Sequence, residues 1–235
     1  MVGPDPTIFF QLAFMVGLNP IMTAYPDRTN PMAEIECFFD LSSPWTYFAF
    51  VSLQKLETEI NTTVQWRPIL VGGVFNAVNP SVHNAAVKPV PAKSAYSKKD
   101  QQDWARFLGL NMHYRPSVFP VNSVKAMRGC FVVEEMGKLV PFMAATFAAY
   151  WCDNKDISQV PVLTEICQQV GIDPAAFFAG IDQQPVKDKL RNTTQELIDR
   201  GGYGSPTMFV GGDDMYFGND RVPLIREAVL RRRGK

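Results

Sequence analysis

Residues Glu34–Phe39 alternate between polar and apolar positions and then become wholly apolar, as an inner strand does. Asp40-Leu41-Ser42-Ser43 follows as a turn, and Pro44 suits the first position of a helix. From Trp45 to Leu56 apolar residues recur at helical spacing, and Val64–Arg67 reads as a second strand halted by Pro68. The opening is therefore β-α-β. Residues 70–92 are rich in Gly, Asn and Pro and lack a period, which predicts a long loop. Helical patterns then cover Lys98–Leu108, Val124–Met136, Leu139–Trp151 and Val160–Val170. Asp173-Pro174 opens a further helix, and Val186–Arg200 stops at Gly201-Gly202. Thr207–Val210 and Met215–Phe217 read as strands joined by a turn at Gly211–Asp214. Asn219-Asp220 can cap a last helix over Val222–Arg232.

This order, β-α-β, then a block of about six helices, then β-β-α, predicts an α/β chain: a thioredoxin-like mixed sheet with an inserted all-helical domain. The sheet domain is discontinuous, from residues 32–74 and 201–235, and residues 75–200 form the insertion. Residues 1–31 stand outside as an amino-terminal extension. The apolar run at 8–18 is shorter than the ~20 residues that cross a bilayer, and only Asp5 is charged before it, so no membrane span and no secretory leader are expected.

Composition narrows the function. Of 235 residues, 46% are hydrophobic and 20% charged, as in a globular protein, and 23 basic side chains balance 23 acidic ones. A neutral chain lacks the electrostatic footprint of a nucleic-acid binder, and the Arg231–Arg233 run suits the carboxyl end of a helix. The four cysteines, Cys37, Cys130, Cys152 and Cys167, form no CxxC, and His83 and His113 stand apart. No metal site is expected, and unpaired thiols point to a reducing, cytoplasmic setting.

The first strand-to-helix turn is the most informative place. Thiol-disulfide proteins of this fold carry CxxC there, whereas this chain has Ser43-Pro44-Trp45-Thr46. Two hydroxyls cannot form a disulfide. What remains is a helix N-terminus with free N–H groups, a positive dipole and a hydroxyl donor, which together suit an anion such as a bound thiolate. Ser-Pro is equally an ordinary N-cap followed by an N1 proline. The second place is Gly204-Ser205-Pro206-Thr207-Met208, where the fold sets a cis-proline opposite that helix end. A trans proline at a strand start also fits the pattern.

Phe38-Phe-Asp-Leu-Ser-Ser-Pro-Trp-Thr-Tyr47, Arg67-Pro68, Val90-Pro-Ala-Lys93, Gly204-Ser-Pro-Thr-Met-Phe209 and Phe217-Gly-Asn-Asp-Arg221 resemble, in order and spacing, the 2-hydroxychromene-2-carboxylate isomerase family, bacterial relatives of kappa-class glutathione transferases. The similarity spans residues 34–232. The resemblance implies glutathione as the cofactor, a small aromatic or electrophilic substrate and a homodimer. It implies that Ser43 hydrogen-bonds the glutathione sulfur and that Lys93 pairs with the glycine-end carboxylate. Asn84, at the family's interval before Lys93, becomes a further contact. Ser205, before Pro206, offers its backbone to the cysteinyl amide, and Asn219 and Asp220 hold the γ-glutamyl end. The expected reaction is glutathione-dependent isomerisation of a conjugated, aromatic-derived substrate. Alternatives are a kappa-type transferase or peroxidase and a non-catalytic glutathione- or peptide-binding module. Ser42 departs from the usual apolar residue and competes with Ser43 for the sulfur. Trp45, Tyr47 and Phe75 are candidates to line the substrate pocket, although aromatic residues at such spacings also build plain core.

Overall fold

The computed structural model describes residues 34–82 and 88–234. The expected extension at 1–31, Asn84 and His83 lie outside the described residues. Four strands form one sheet in the order β2-β1-β3-β4: β1 (Ile35–Phe39), β2 (Val64–Pro68), β3 (Thr207–Val210) and β4 (Asp214–Phe217). β1 pairs parallel with β2 and antiparallel with β3, and β3 pairs antiparallel with β4. The parallel pair needs a crossover, supplied by helix α1 (Pro44–Ile60). The last pair is the hairpin, whose turn places Gly211 and Gly212 at positive φ.

Seven α-helices separate β2 from β3 in sequence among the described residues. They are α2 (Val71–Val78), α3 (Pro91–Leu108), α4 (Val124–Glu135), α5 (Leu139–Phe147), α6 (Val160–Gln169), α7 (Pro174–Ile181) and α8 (Gln184–Asp199). A π-helical turn, Ala148–Cys152, continues α5, and α9 (Val222–Arg233) closes the chain. The thioredoxin-like mixed sheet with helices intervening between its two halves is thus as the pattern predicts.

Alternation along β1 sends its residues to two sides. Ile35, Cys37 and Phe39 join Trp66, Met208 and Val210 in the large core shared with α1 and the intervening helices. Phe38 joins Phe209, Ile69, Val74 and Leu197 in a smaller cluster on the other face. The intervening helices pack closely enough to dictate sequence: a Cβ at Gly129 of α4 would collide with the Phe177 ring of α7.

One expectation fails at residues 70–92. Val71–Val78 is a helix, and α3 begins at Pro91 rather than at Lys98. Leu70, at the N-cap of α2, has no capping side chain. The orphan N–H of Val71 donates instead to Asp40 Oδ2 at 2.9 Å, and that of Leu70 to Thr194 Oγ1 at 3.0 Å. These caps come from residues distant in sequence, so local propensity does not announce the helix.

The smaller face carries a polar layer. Glu36 accepts from Arg67 and Arg200, Glu196 accepts from both arginines as well, and Arg200 lies 3.8 Å over the Phe209 ring. These side chains are only 17–38% exposed, so the network is shielded from water. Arg200→Ala leaves two glutamates without that partner and removes the cation from the ring. A loss of about 2 kcal/mol is expected, read from urea denaturation.

Candidate active site

The turn between β1 and α1 is built by Asp40. Its backbone carbonyl accepts from Ser43 N at 3.1 Å, and its Oδ1 accepts from Ser42 N at 2.9 Å and Ser42 Oγ at 2.8 Å. Oδ2 accepts from Val71 N, as above, and from Ser123 Oγ at 3.2 Å. The carboxyl is 1% exposed, and burial pushes its pKa above the ordinary carboxylate value despite those four bonds. Leu41 is gripped from the helical side: its N–H points to Met127 Sδ at 3.3 Å, and its carbonyl accepts from Trp151 Nε1 at 3.2 Å. The π-helical turn therefore presents Trp151 to the serine loop. Trp151→Phe keeps most of the ring volume but strands a buried carbonyl, so stability should fall by about 1–2 kcal/mol in chemical denaturation.

Ser43 sits at φ −95°, ψ 123°, and its Oγ accepts from Thr46 N at 3.2 Å, making it the N-cap of α1 with Pro44 just inside. The same hydroxyl donates to the Ser205 carbonyl at 3.0 Å. Ser205 Oγ in turn accepts from Asp40 N at 2.9 Å and shares a 2.7 Å bond with Thr46 Oγ1. The Ser205–Pro206 bond is cis. The Pro206 carbonyl accepts from Gly218 N at 3.1 Å, and Gly218 takes a φ of +99° to start the following turn. Three sequence segments thus converge: the serine turn, Ser205–Pro206 and Gly218–Asp220.

The two serine hydroxyls are placed differently. The Ser42 hydroxyl is held by Asp40, whereas the Ser43 hydroxyl lies at the helix end against Ser205. Thr46, in the place of the second thiol, is fully buried and serves Ser205. The protein's own sulfur does not substitute: Cys37, Cys130 and Cys167 are buried and Cys152 half-buried, all free. Burial pushes the Cys167 thiol up to about 11 and the other three upward as well.

Asn219 and Asp220 do not cap the last helix, contrary to expectation. They form a 3-10 turn, Asn219–Arg221, and the N-cap of α9 is Arg221, which makes no capping bond. The chain tightens before α9 begins, which moves the cap position past both residues. Asn219 is 4% exposed and its Nδ2 has no hydrogen-bond partner, while Asp220 is exposed and paired with Arg221 at 2.8 Å. Lys93 is exposed in the first turn of α3, a helix that packs on α1. The structure does not bring Lys93 to Ser43 through any bond. Tyr47 is core rather than pocket lining: it is 1% exposed and stacks on Phe147 at 4.8 Å. Trp45 is half-buried beside Ser43.

Sequence reading missed Asp100 and Gln101. Burial, then the negative charges of Asp103 and Asp220, raise the Asp100 pKa. Gln101 is 9% exposed with an unpartnered Oε1. A signal existed, since Gln101, Ala105 and Leu108 are the buried stripe of α3, and Gln101 is its polar interruption.

Comparison with known proteins bears on the fold and the family. Residues 34–230 match the family model described as DSBA-like thioredoxin domain. A 2-hydroxychromene-2-carboxylate isomerase of Pseudomonas sp. (strain C18) is 30% identical over 202 residues, covering 83% of this chain and 89% of the relative. Glutathione S-transferase kappa 1 of Caenorhabditis elegans is 26% identical over 211 residues, covering 84% and 91%. A solved 2-hydroxychromene-2-carboxylate isomerase superposes with a TM-score of 0.73 at 26% identity, covering 84% of this chain and 94% of that one. Among the described residues no helix is long and apolar enough to cross a membrane. The chain belongs to the DsbA-like thioredoxin-domain family, in the group that holds 2-hydroxychromene-2-carboxylate isomerases and kappa glutathione transferases.

Proposed function

We propose that this protein binds glutathione and uses its thiolate as a reversible nucleophile on a conjugated, aromatic-derived substrate. The observation that carries the reading is the Ser43 hydroxyl, fixed at the N-terminus of α1 where related folds keep a cysteine, and facing the Ser205–Pro206 segment. With no thiol of its own at that place, the site fits a sulfur brought by a ligand. Glutathione would lie with its sulfur at Ser43, its cysteinyl backbone at Ser205, its γ-glutamyl end toward Asn219 and Asp220, and its glycine carboxylate toward Lys93.

The thiolate adds to an electron-poor carbon, the former double bond rotates as a single bond, and elimination restores it and releases the thiolate. Glutathione is therefore not consumed. Ionisation alone gives little. A thiol with a pKa near 8.5 is about 3% ionised at pH 7. Lowering the pKa by about two units raises that fraction about 25-fold, but with a Brønsted slope near 0.45 it cuts nucleophilicity about 8-fold. The net gain is about threefold. Orientation of two bound molecules, which can supply up to about 7–11 kcal/mol, carries most of the acceleration.

A kappa-type transferase shares every glutathione contact, and the 26% identity to a kappa transferase favours it as the second reading. Free thiol separates the two. With a chromene-2-carboxylate or an activated enone as substrate, constant thiol during turnover supports the isomerase and stoichiometric loss supports the transferase. Absence of saturable heat on titrating glutathione into the protein would overturn both.

A further inference from the structure

We infer that the thiol is activated by a hydrogen-bond hand-over, in which the ligand's own amide N–H displaces the Ser43 hydroxyl from the Ser205 carbonyl and frees that hydroxyl to donate to the sulfur, while the S–H proton leaves to bulk water. This rests on the glutathione reading above and concerns how the site selects among thiols.

Ser43 has one hydroxyl proton. That proton is committed to the Ser205 carbonyl at 3.0 Å, while an Oγ lone pair is filled by Thr46 N–H at 3.2 Å. A thiolate at the helix end needs the same proton. Its charge makes it the stronger acceptor, so the hydroxyl turns toward it. The Ser205 carbonyl then loses its donor in a place where the residue is only 6% exposed. Ser205 cannot follow the hydroxyl, because Asp40 N and Thr46 Oγ1 pin its side chain and Gly218 N holds the next carbonyl. A buried acceptor without a donor opposes the move.

A cysteinyl ligand resolves this. Its amide N–H belongs to the same residue as the sulfur, and the two protein atoms they must reach, the Ser205 carbonyl and Ser43 Oγ, are 3.0 Å apart. One residue of ligand can therefore fill the carbonyl and accept the freed hydroxyl's hydrogen bond together. Thiols without an N–H beside the carbon bearing CH2–SH would enter the same place and be less acidified. Activation thus follows from peptide recognition, and simple alkyl thiols are discriminated by acidity as well as by affinity.

Two measurements test this. The first titrates the bound thiol by ultraviolet thiolate absorbance, for glutathione and for its analogue with an ester oxygen in place of the γ-glutamyl–cysteinyl N–H. Each value is taken relative to the free compound. The bound analogue should show a pKa depression smaller by about one unit, a tenfold difference in acidity. Equal depressions overturn the hand-over while leaving glutathione binding intact, whereas failure of glutathione itself to saturate removes the parent reading as well.

The second measurement holds where the analogue binds too weakly to titrate. S-methylglutathione keeps the amide but offers no thiolate, so in the wild type its amide competes with Ser43 for the carbonyl. In folded Ser43→Ala that competition is gone, and S-methylglutathione should bind about threefold or more tighter than to the wild type. Equal or weaker binding overturns the inference.

Discussion

Replacing Ser43 by alanine is expected to lower glutathione-dependent turnover about tenfold to a hundredfold, since it removes the charge-assisted hydrogen bond, of about 1.5–3 kcal/mol, that holds the thiolate. The change in thiol ionisation explains only about threefold of this. The remainder comes from losing the group that fixes the sulfur at the end of α1, so kcat should fall more than the affinity for glutathione. Alanine also removes the N-cap and leaves Thr46 N and the Ser205 carbonyl without this partner. That costs about 1–2 kcal/mol of stability, measurable in urea and too small to unfold a typical domain. Ser43→Thr keeps the hydroxyl and the cap and should recover most of the rate. Unchanged turnover in folded Ser43→Ala removes Ser43 from the mechanism.

The parts of this site that could be read in the sequence are those whose signals are local. Ser43-Pro44 opens a helix wherever it occurs, and Ser205-Pro206 stands at a strand start. The hydrogen bond joining the two pieces, from Ser43 to Ser205, spans 162 positions and follows only once the sheet order is known. Helix α2 was hidden because its N–H groups are satisfied by Asp40 and Thr194, 31 and 124 positions away. Its own Gly72-Gly73 favours a loop. Asn219 and Asp220 carried the right segment but the wrong local structure, since a 3-10 turn intervenes before α9. Asp100 was unreadable for another reason: burial in the fold, the first cause of its raised pKa, follows from packing that the α3 sequence alone does not announce.

Asp40 is the residue whose loss should cost most stability at the site, and asparagine should not rescue it. The carboxyl receives two backbone N–H groups on different oxygens, Ser42 N on Oδ1 and Val71 N on Oδ2, with the Ser42 and Ser123 hydroxyls beside them. Asparagine has one acceptor oxygen, so one of those N–H groups must face its amide donor. Asp40→Asn is therefore expected to cost about 2–3 kcal/mol and Asp40→Ala about 3–5, read from urea midpoints at constant slope. The pH dependence has a defined sign. Burial raises the folded pKa above the ordinary value, so between those two values the unfolded chain has released a proton that the native protein keeps. Native stability consequently falls as pH rises through that window, and the asparagine variant lacks this slope. The stability gap between wild type and Asp40→Asn should narrow from low pH to high across it; a gap that widens would mean that the four hydrogen bonds outweigh burial and that Asp40 holds its charge more readily in the native protein than in the unfolded chain.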